Sequence, residues 1–135
     1  MAMFTVCGAD FMNNLEHAEQ VALVHWFRWQ YPQYLMFANE NGAHLAGDAK
    51  QRAGKMARMK QAGHVNGVAD LFLMHPSKGF NGLFIEMKSP KGLLSDDQAH
   101  FLAKACSEGY EAKVCYGFDE AKIVIESYLN AQLII

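Results

Sequence analysis

Cysteine, histidine motifs, net charge and long apolar runs are all scarce in this chain, and each scarcity closes off a class of protein. The three cysteines, Cys7, Cys106 and Cys115, show no CxxC spacing. An odd set of that kind neither frames a disulfide scaffold nor builds a structural zinc site, and it suits reduced thiols in the cytoplasm. Lys and Arg number 12 against 14 Asp and Glu, a net charge of −2. No overall basic field announces a polyanionic partner, so any basic surface is local. No apolar run approaches the ~20 residues that cross a bilayer, and the first residues lack a charged segment followed by an apolar block. The expectation is a soluble, cytoplasmic protein with no membrane partner. The six histidines form no HExxH or other paired spacing. Gly47 to Met56 is not a P-loop either, because Ala49 stands where glycine is needed and Met56 where Ser or Thr is needed. No nucleotide cofactor is expected, and no internal repeat or low-complexity tract is present.

What is there suits one globular domain over residues 1–135: 51% of the chain is hydrophobic and 19% charged. Asn13 precedes a helical pattern from Asn14 to Tyr31, stopped by Pro32, with Leu15, Ala18, Ala22, Trp26 and Trp29 at roughly helical spacing. Tyr34 to Ala38 reads as a short buried strand, and Asn39 to Gly47 as a loop. Asp48 to Ala62 reads as a helix with Arg52, Lys55 and Arg58 on one arc and Ala49, Ala53 and Met56 on another. Two strands follow, about Ala69 to Met74 and Gly82 to Lys88, joined by the turn-rich His75 to Asn81. Ser95 opens a helix through an S-x-x-Q capping box completed by Gln98, and Gly109 stops it. Glu111 to Tyr116 reads as a strand. Asp119 to Asn130 closes the chain as a helix with Ala121, Val124, Ile125, Tyr128 and Leu129 inward. The order predicts an α/β domain with a mixed central sheet flanked by helices.

Three charges interrupt the strand-forming text: Asp70 at the start of one apolar run, and Glu86 and Lys88 inside the next. Strand side chains alternate faces, so Glu86 and Lys88 project together, roughly 6.5–7 Å apart, opposite Leu83, Ile85 and Met87. A hairpin folded about Lys78 brings Asp70 opposite Glu86, with Cβ atoms about 4.5–5.5 Å apart. Two carboxylates that close destabilise a fold unless a cation lies between them. Their hard oxygens suit Mg²⁺ or Mn²⁺. Such an ion polarises a phosphate and acidifies a bound water, and a neighbouring ammonium stabilises charge or orients the nucleophile. The alternative is a simple Glu86–Lys88 pair on a solvent-facing edge strand.

The text around these residues resembles a known family. G-V-x-D (Gly67 to Asp70), G-L-F-I-E-x-K (Gly82 to Lys88) and the segment from Lys91 to Gln98 occur in order, after Glu16 and Gln20, Tyr31-Pro32 and Asn39-Glu40. Together they resemble a VRR-NUC domain, a compact branch of the PD-(D/E)XK nucleases, over about Leu15 to Leu129. One departure is Ala69, where the family commonly has Pro or Ser. The resemblance implies a restriction-endonuclease-like core, with Asp70, Glu86 and the backbone carbonyl of Met87 as metal ligands. It also implies Lys88 beside the attacking water, Glu16 as a further acid, direct or through water, and Gln98 in support. Two of these have alternatives: Glu16 stands three residues after Asn13 and can complete a cap, leaving Glu19 as the acid, and Gln98 can serve only its capping box. Arg52, Lys55, Arg58 and Lys91 are candidate phosphate contacts.

The function expected is a Mg²⁺- or Mn²⁺-dependent DNA endonuclease. Its small size predicts a homodimer, and the resemblance implies selectivity for branched DNA such as four-way (Holliday) junctions and a phage or prophage type. The alternatives are a non-catalytic nucleic-acid-binding module, an exonuclease or an RNase.

Overall fold

A computed structural model describes residues 8–39 and 45–130. In chain order its elements are α1 (Gly8–Gln30), β1 (Met36–Ala38), α2 (Ala49–Gln61), β2 (Leu71–Leu73), β3 (Leu83–Lys88), α3 (Asp96–Ser107), β4 (Glu111–Tyr116) and α4 (Phe118–Leu129). The strands form a mixed sheet in the order β1-β2-β3-β4, with β1, β2 and β3 antiparallel and β3 parallel to β4. This is the expected α/β architecture, and it makes β3 a central strand. Glu86 and Lys88 therefore do not sit on a solvent-facing edge. Among the described residues no helix is long and apolar enough to cross a membrane.

The two sheet faces differ in chemistry. Leu71, Leu73, Leu83, Ile85, Met87 and Cys115 are buried on one face with Leu23 and Phe27 of α1 and Ala121, Ile125 and Tyr128 of α4. Burial of such side chains contributes roughly 1.5–3 kcal/mol each, so α1, α4 and this face form the main core. The other face carries Phe72, Phe84, Glu86 and Lys88, and α3 packs there through Phe101, edge-on to Phe84 with ring centroids 5.0 Å apart. Cap chemistry sets α3 as expected: Ser95 accepts from Gln98 N, Gln98 returns a bond to Ser95 N, and Gly109 takes φ +88 just past the end. The same reciprocal box, Asp48 with Gln51, opens α2.

The hairpin has the expected register by an unexpected route. Leu71, Phe72 and Leu73 pair with Ile85, Phe84 and Leu83. The tight turn, however, pairs Ser77 with Phe80 around Lys78 and Gly79, both at positive φ (54° and 82°). These values give the twist that suits a two-residue hairpin turn. Three residues on the first arm, 74–76, then face two on the second, 81–82, so a one-residue bulge restores the pairing.

Three expectations need correction. α1 begins at Gly8, so Asn13 is an interior residue and not a cap. Its inward face is Leu23 and Phe27, with the expected Trp26 half-buried against the core, whereas Ala18, Ala22 and Trp29 are exposed, Trp29 by 88%. Small alanines spaced like core positions lost to the larger apolar area of the neighbouring arc. β1 is an edge strand with only Met36 buried. α2 buries no residue, because an arc of Ala49, Ala53 and Met56 offers little area to pack, and Met59 is only half-buried. Glu40 and most of the loop expected at 39–47 lie outside the described residues.

Candidate active site

The chemistry-bearing residues meet at the C-terminal end of β3. Asn39 N donates to the Asp70 carbonyl (2.8 Å) and Asn39 Nδ2 to the Ala69 carbonyl (3.0 Å), which carries the β1–β2 ladder one pair past Ala38–Leu71. Asp70 then lies one step beyond the Leu71–Ile85 pair, opposite Glu86. The Met87 amide donates to Asp70 Oδ2 at 2.8 Å, which ties the aspartate to β3.

Glu86 is 1% exposed. Its Oε1 accepts from Gln98 Nε2 (2.8 Å) and faces Lys88 Nζ at 3.4 Å, while its Oε2 has no hydrogen-bond partner. Burial and then the nearby Asp70 push its carboxyl up to about 7, against the opposing pull of Lys88. An acid held that way lacks a positive neighbour of sufficient charge.

Gln98 completes its capping box and also reaches the acidic cluster. Its amide oxygen accepts from Ser95 N and from Lys88 Nζ, both at 2.9 Å, while its amide nitrogen serves Glu86. The capping box thus orients an amide that holds base and acid at once. Gly67, at φ +84, makes this docking possible: a Cβ there would lie 2.4 Å from the Asp97 carbonyl carbon and 2.7 Å from Gln98 N. Any larger residue would push the first turn of α3 off the site. Nothing in composition signals this contact; only the glycine in G-V-x-D hints at it.

Glu16 and Glu19 separate cleanly. Glu16 faces the cluster: burial raises its pKa, Lys88 and the Ser89 amide oppose the rise, and Asp70 adds to it. Glu19 turns elsewhere and accepts from Phe118 N at 2.7 Å, the first residue of α4. Of the remaining candidates, Lys91 is exposed in the turn after β3. On α2, Arg52 Nη1 and Lys55 Nζ donate to the carbonyls of Gly47 and Ala46, each at 2.7 Å, and Arg58 is exposed. The structure does not join these three to the acidic cluster.

The donor set fits a hard divalent cation. Glu86 Oε2 is a buried carboxylate oxygen left without a partner, and two more carboxylates lie beside one ammonium. Among the described residues no three His, Cys, Asp or Glu side chains converge as a ligand trio. A cation here would therefore take two side-chain oxygens, a backbone carbonyl and water, the partial hydration that Mg²⁺ favours.

Two comparisons with known proteins give a match. A family model of the VRR-NUC domain matches residues 14–119. A solved structure titled "VRR_NUC domain protein" superposes with a TM-score of 0.69 and 21% identity, over 86% of this chain and 88% of that one. No curated protein matches.

Proposed function

This chain belongs to the VRR-NUC domain family, a nuclease-type family acting on nucleic acid, and from that premise we propose that it is a divalent-metal-dependent DNA endonuclease. The observation that carries the proposal is the meeting of Asp70, Glu86, Lys88 and Gln98 at one strand end, with Glu86 Oε2 unpartnered. Asp70, Glu86 and the Met87 carbonyl would hold Mg²⁺ or Mn²⁺, with Glu16 direct or through water. When bound, the ion supplies Lewis-acid polarisation of the phosphate and acidification of water.

The chain's own groups do the rest. Lys88, steadied by Gln98, stabilises negative charge on the phosphoryl oxygens and orients the incoming water. That water adds to phosphorus and the 3′-oxygen leaves. Arg52, Lys55, Arg58 and Lys91 supply phosphate contacts away from the reacting centre.

We also propose branched DNA, such as a four-way junction, as substrate and a homodimer as the working unit. A 15.1 kDa chain covers little DNA alone. The uncovered face of α1, with Ala18, Val21, Ala22 and Trp29 exposed, gives a second copy apolar area to bury.

The test is cleavage of labelled four-way, flap and linear duplex DNA with Mg²⁺, Mn²⁺ or EDTA, beside sedimentation. Cleavage that needs the cation and favours the junction supports the reading. Binding without cleavage in either metal removes the enzyme, and a strict monomer at working concentration removes the dimer. The two glutamates of α1 divide the outcomes further. Glu16→Gln should lower cleavage at least tenfold with the fold intact, a typical cost for a group supporting a metal site. Glu19→Gln should cost about 1 kcal/mol of stability by weakening the α4 cap and leave cleavage near wild type.

A further inference from the structure

Two rows of side chains cross the same face of the sheet, one pleat repeat apart. The first is Asn39, Asp70 and Glu86, described above. The second lies two residues further along each strand, roughly 6.5–7 Å away, and is aromatic on β1, β2 and β3, ending at Ala112 on β4. Phe37 pairs with Phe72 across β1 and β2, and Phe72 with Phe84 across β2 and β3. The Phe72 and Phe84 rings stack with centroids 4.5 Å apart and planes 29° apart, and Phe37 meets Phe72 edge-on at 5.7 Å.

This row is only partly covered. α3 packs on the β4 side and reaches Phe84 through Phe101, and the Tyr110 ring lies edge-on to both Phe72 (6.0 Å) and Phe84 (5.4 Å), so Phe37 is the open end of the row. At the other end Phe37 is 42% exposed. Gly82 leaves room for the row: a Cβ there would sit 2.7 Å from the Phe72 ring. At the sheet edge Phe37 leaves part of its ring open to solvent on the same face as the acids. Flat π-faces beside a phosphate-cleaving centre match what single-stranded nucleic acids offer, since every unpaired base has a face to stack.

We propose that Phe37, backed by Phe72, is a stacking platform for an unpaired nucleobase adjoining the scissile phosphate. The inference rests on the nuclease reading for the position of that phosphate, and it narrows the substrate to DNA with an unpaired or splayed nucleotide at the cut. Fully paired duplex presents its bases edge-on within the stack and cannot use the platform.

The experiment is a cycle between protein and DNA in Ca²⁺, an oxygen-seeking ion chosen to hold complexes without turnover. A flap oligonucleotide carries 2-aminopurine, or an abasic sugar, at the unpaired position next to the expected cut. Wild type should quench 2-aminopurine on binding and bind the abasic DNA about tenfold more weakly, within the range for one stacked base. Phe37→Ala should lose the quench and bind both DNAs alike, and Phe37→Trp should restore the discrimination. Equal sensitivity to base removal in wild type and Phe37→Ala overturns the platform, as does binding with no quench. Should Phe37→Ala fail to fold, Phe37→Leu, which keeps apolar area but no π-face, reads the same cycle. Quenching without cleavage of any substrate in Mg²⁺ or Mn²⁺ keeps the platform and removes the nuclease, cleavage without quenching does the reverse, and no binding of the flap removes the platform.

Discussion

Asp70→Asn and Lys88→Ala should each lower DNA cleavage by on the order of a thousandfold with far-ultraviolet circular dichroism near wild type, while in EDTA at pH 8 the melting temperature rises without the Asp70 charge beside Glu86 and falls without the Lys88 ammonium. Asparagine keeps an oxygen where Asp70 Oδ2 accepts the Met87 amide, so the tie between the β2 end and β3 survives. What goes is the negative charge that a cation needs. Alanine at 88 removes an ammonium held by Gln98 Oε1 and facing Glu86 Oε1, and it leaves the buried face of β3, built from Leu83, Ile85 and Met87, untouched. The measurement is single-turnover cleavage with saturating enzyme. Either variant retaining more than a tenth of wild-type activity would show that the chemistry lies elsewhere.

Glu86→Gln should separate stability from activity. In the fold its carboxyl is pushed up to about 7, from an ordinary value of 4.5. Between these values the folded state holds a proton that the unfolded chain has released, so stability falls as pH rises through that window and levels off above it. At about 1.4 kcal/mol per unit, the burden carried by wild type at pH 8 is on the order of 3 kcal/mol. A neutral glutamine keeps an oxygen for Gln98 Nε2 and escapes most of that cost. In EDTA at pH 8 the variant should therefore melt higher than wild type, and the gap should close as pH falls toward 4.5. With Mg²⁺ or Mn²⁺ present wild type should recover stability by binding the ion, the variant should not, and the variant should cleave no DNA. A variant that melts lower than wild type in EDTA at pH 8 would mean that the carboxylate stabilises the fold by itself.

The parts of this molecule that are readable from sequence are those set by short-range chemistry. Ser95 and Gln98 announce the start of α3 because a capping box needs those two residue types at that spacing. Asp70 opposite Glu86 is legible because period-two alternation and a turn-rich link leave few registers that keep Leu71, Leu73, Leu83 and Ile85 on one face. The inward face of α1 is not legible in the same way. Ala18, Ala22 and Trp29 at helical spacing mimic a core stripe, and only the packing of α4 and the sheet selects Leu23 and Phe27, with Trp26 alongside. The choice between Glu16 and Glu19 is likewise tertiary: it depends on where the first residue of α4 lands, and Phe118 N lands on Glu19. The double use of Gln98 is half visible, since the cap is local but its reach to Lys88 and Glu86 depends on Gly67 letting α3 approach. The aromatic row needs all three strands in register before Phe37, Phe72 and Phe84 form a line.

Calorimetric titration of Mn²⁺ into the metal-free protein at pH 8 bears most directly on the pairing of Asp70 with Glu86 across the hairpin. Wild type should take up the ion with a saturable heat that disappears in both Asp70→Asn and Glu86→Gln and persists in Glu19→Gln. Uptake of equal strength in all four proteins, or none in wild type, would mean that these two acids do not share a cation.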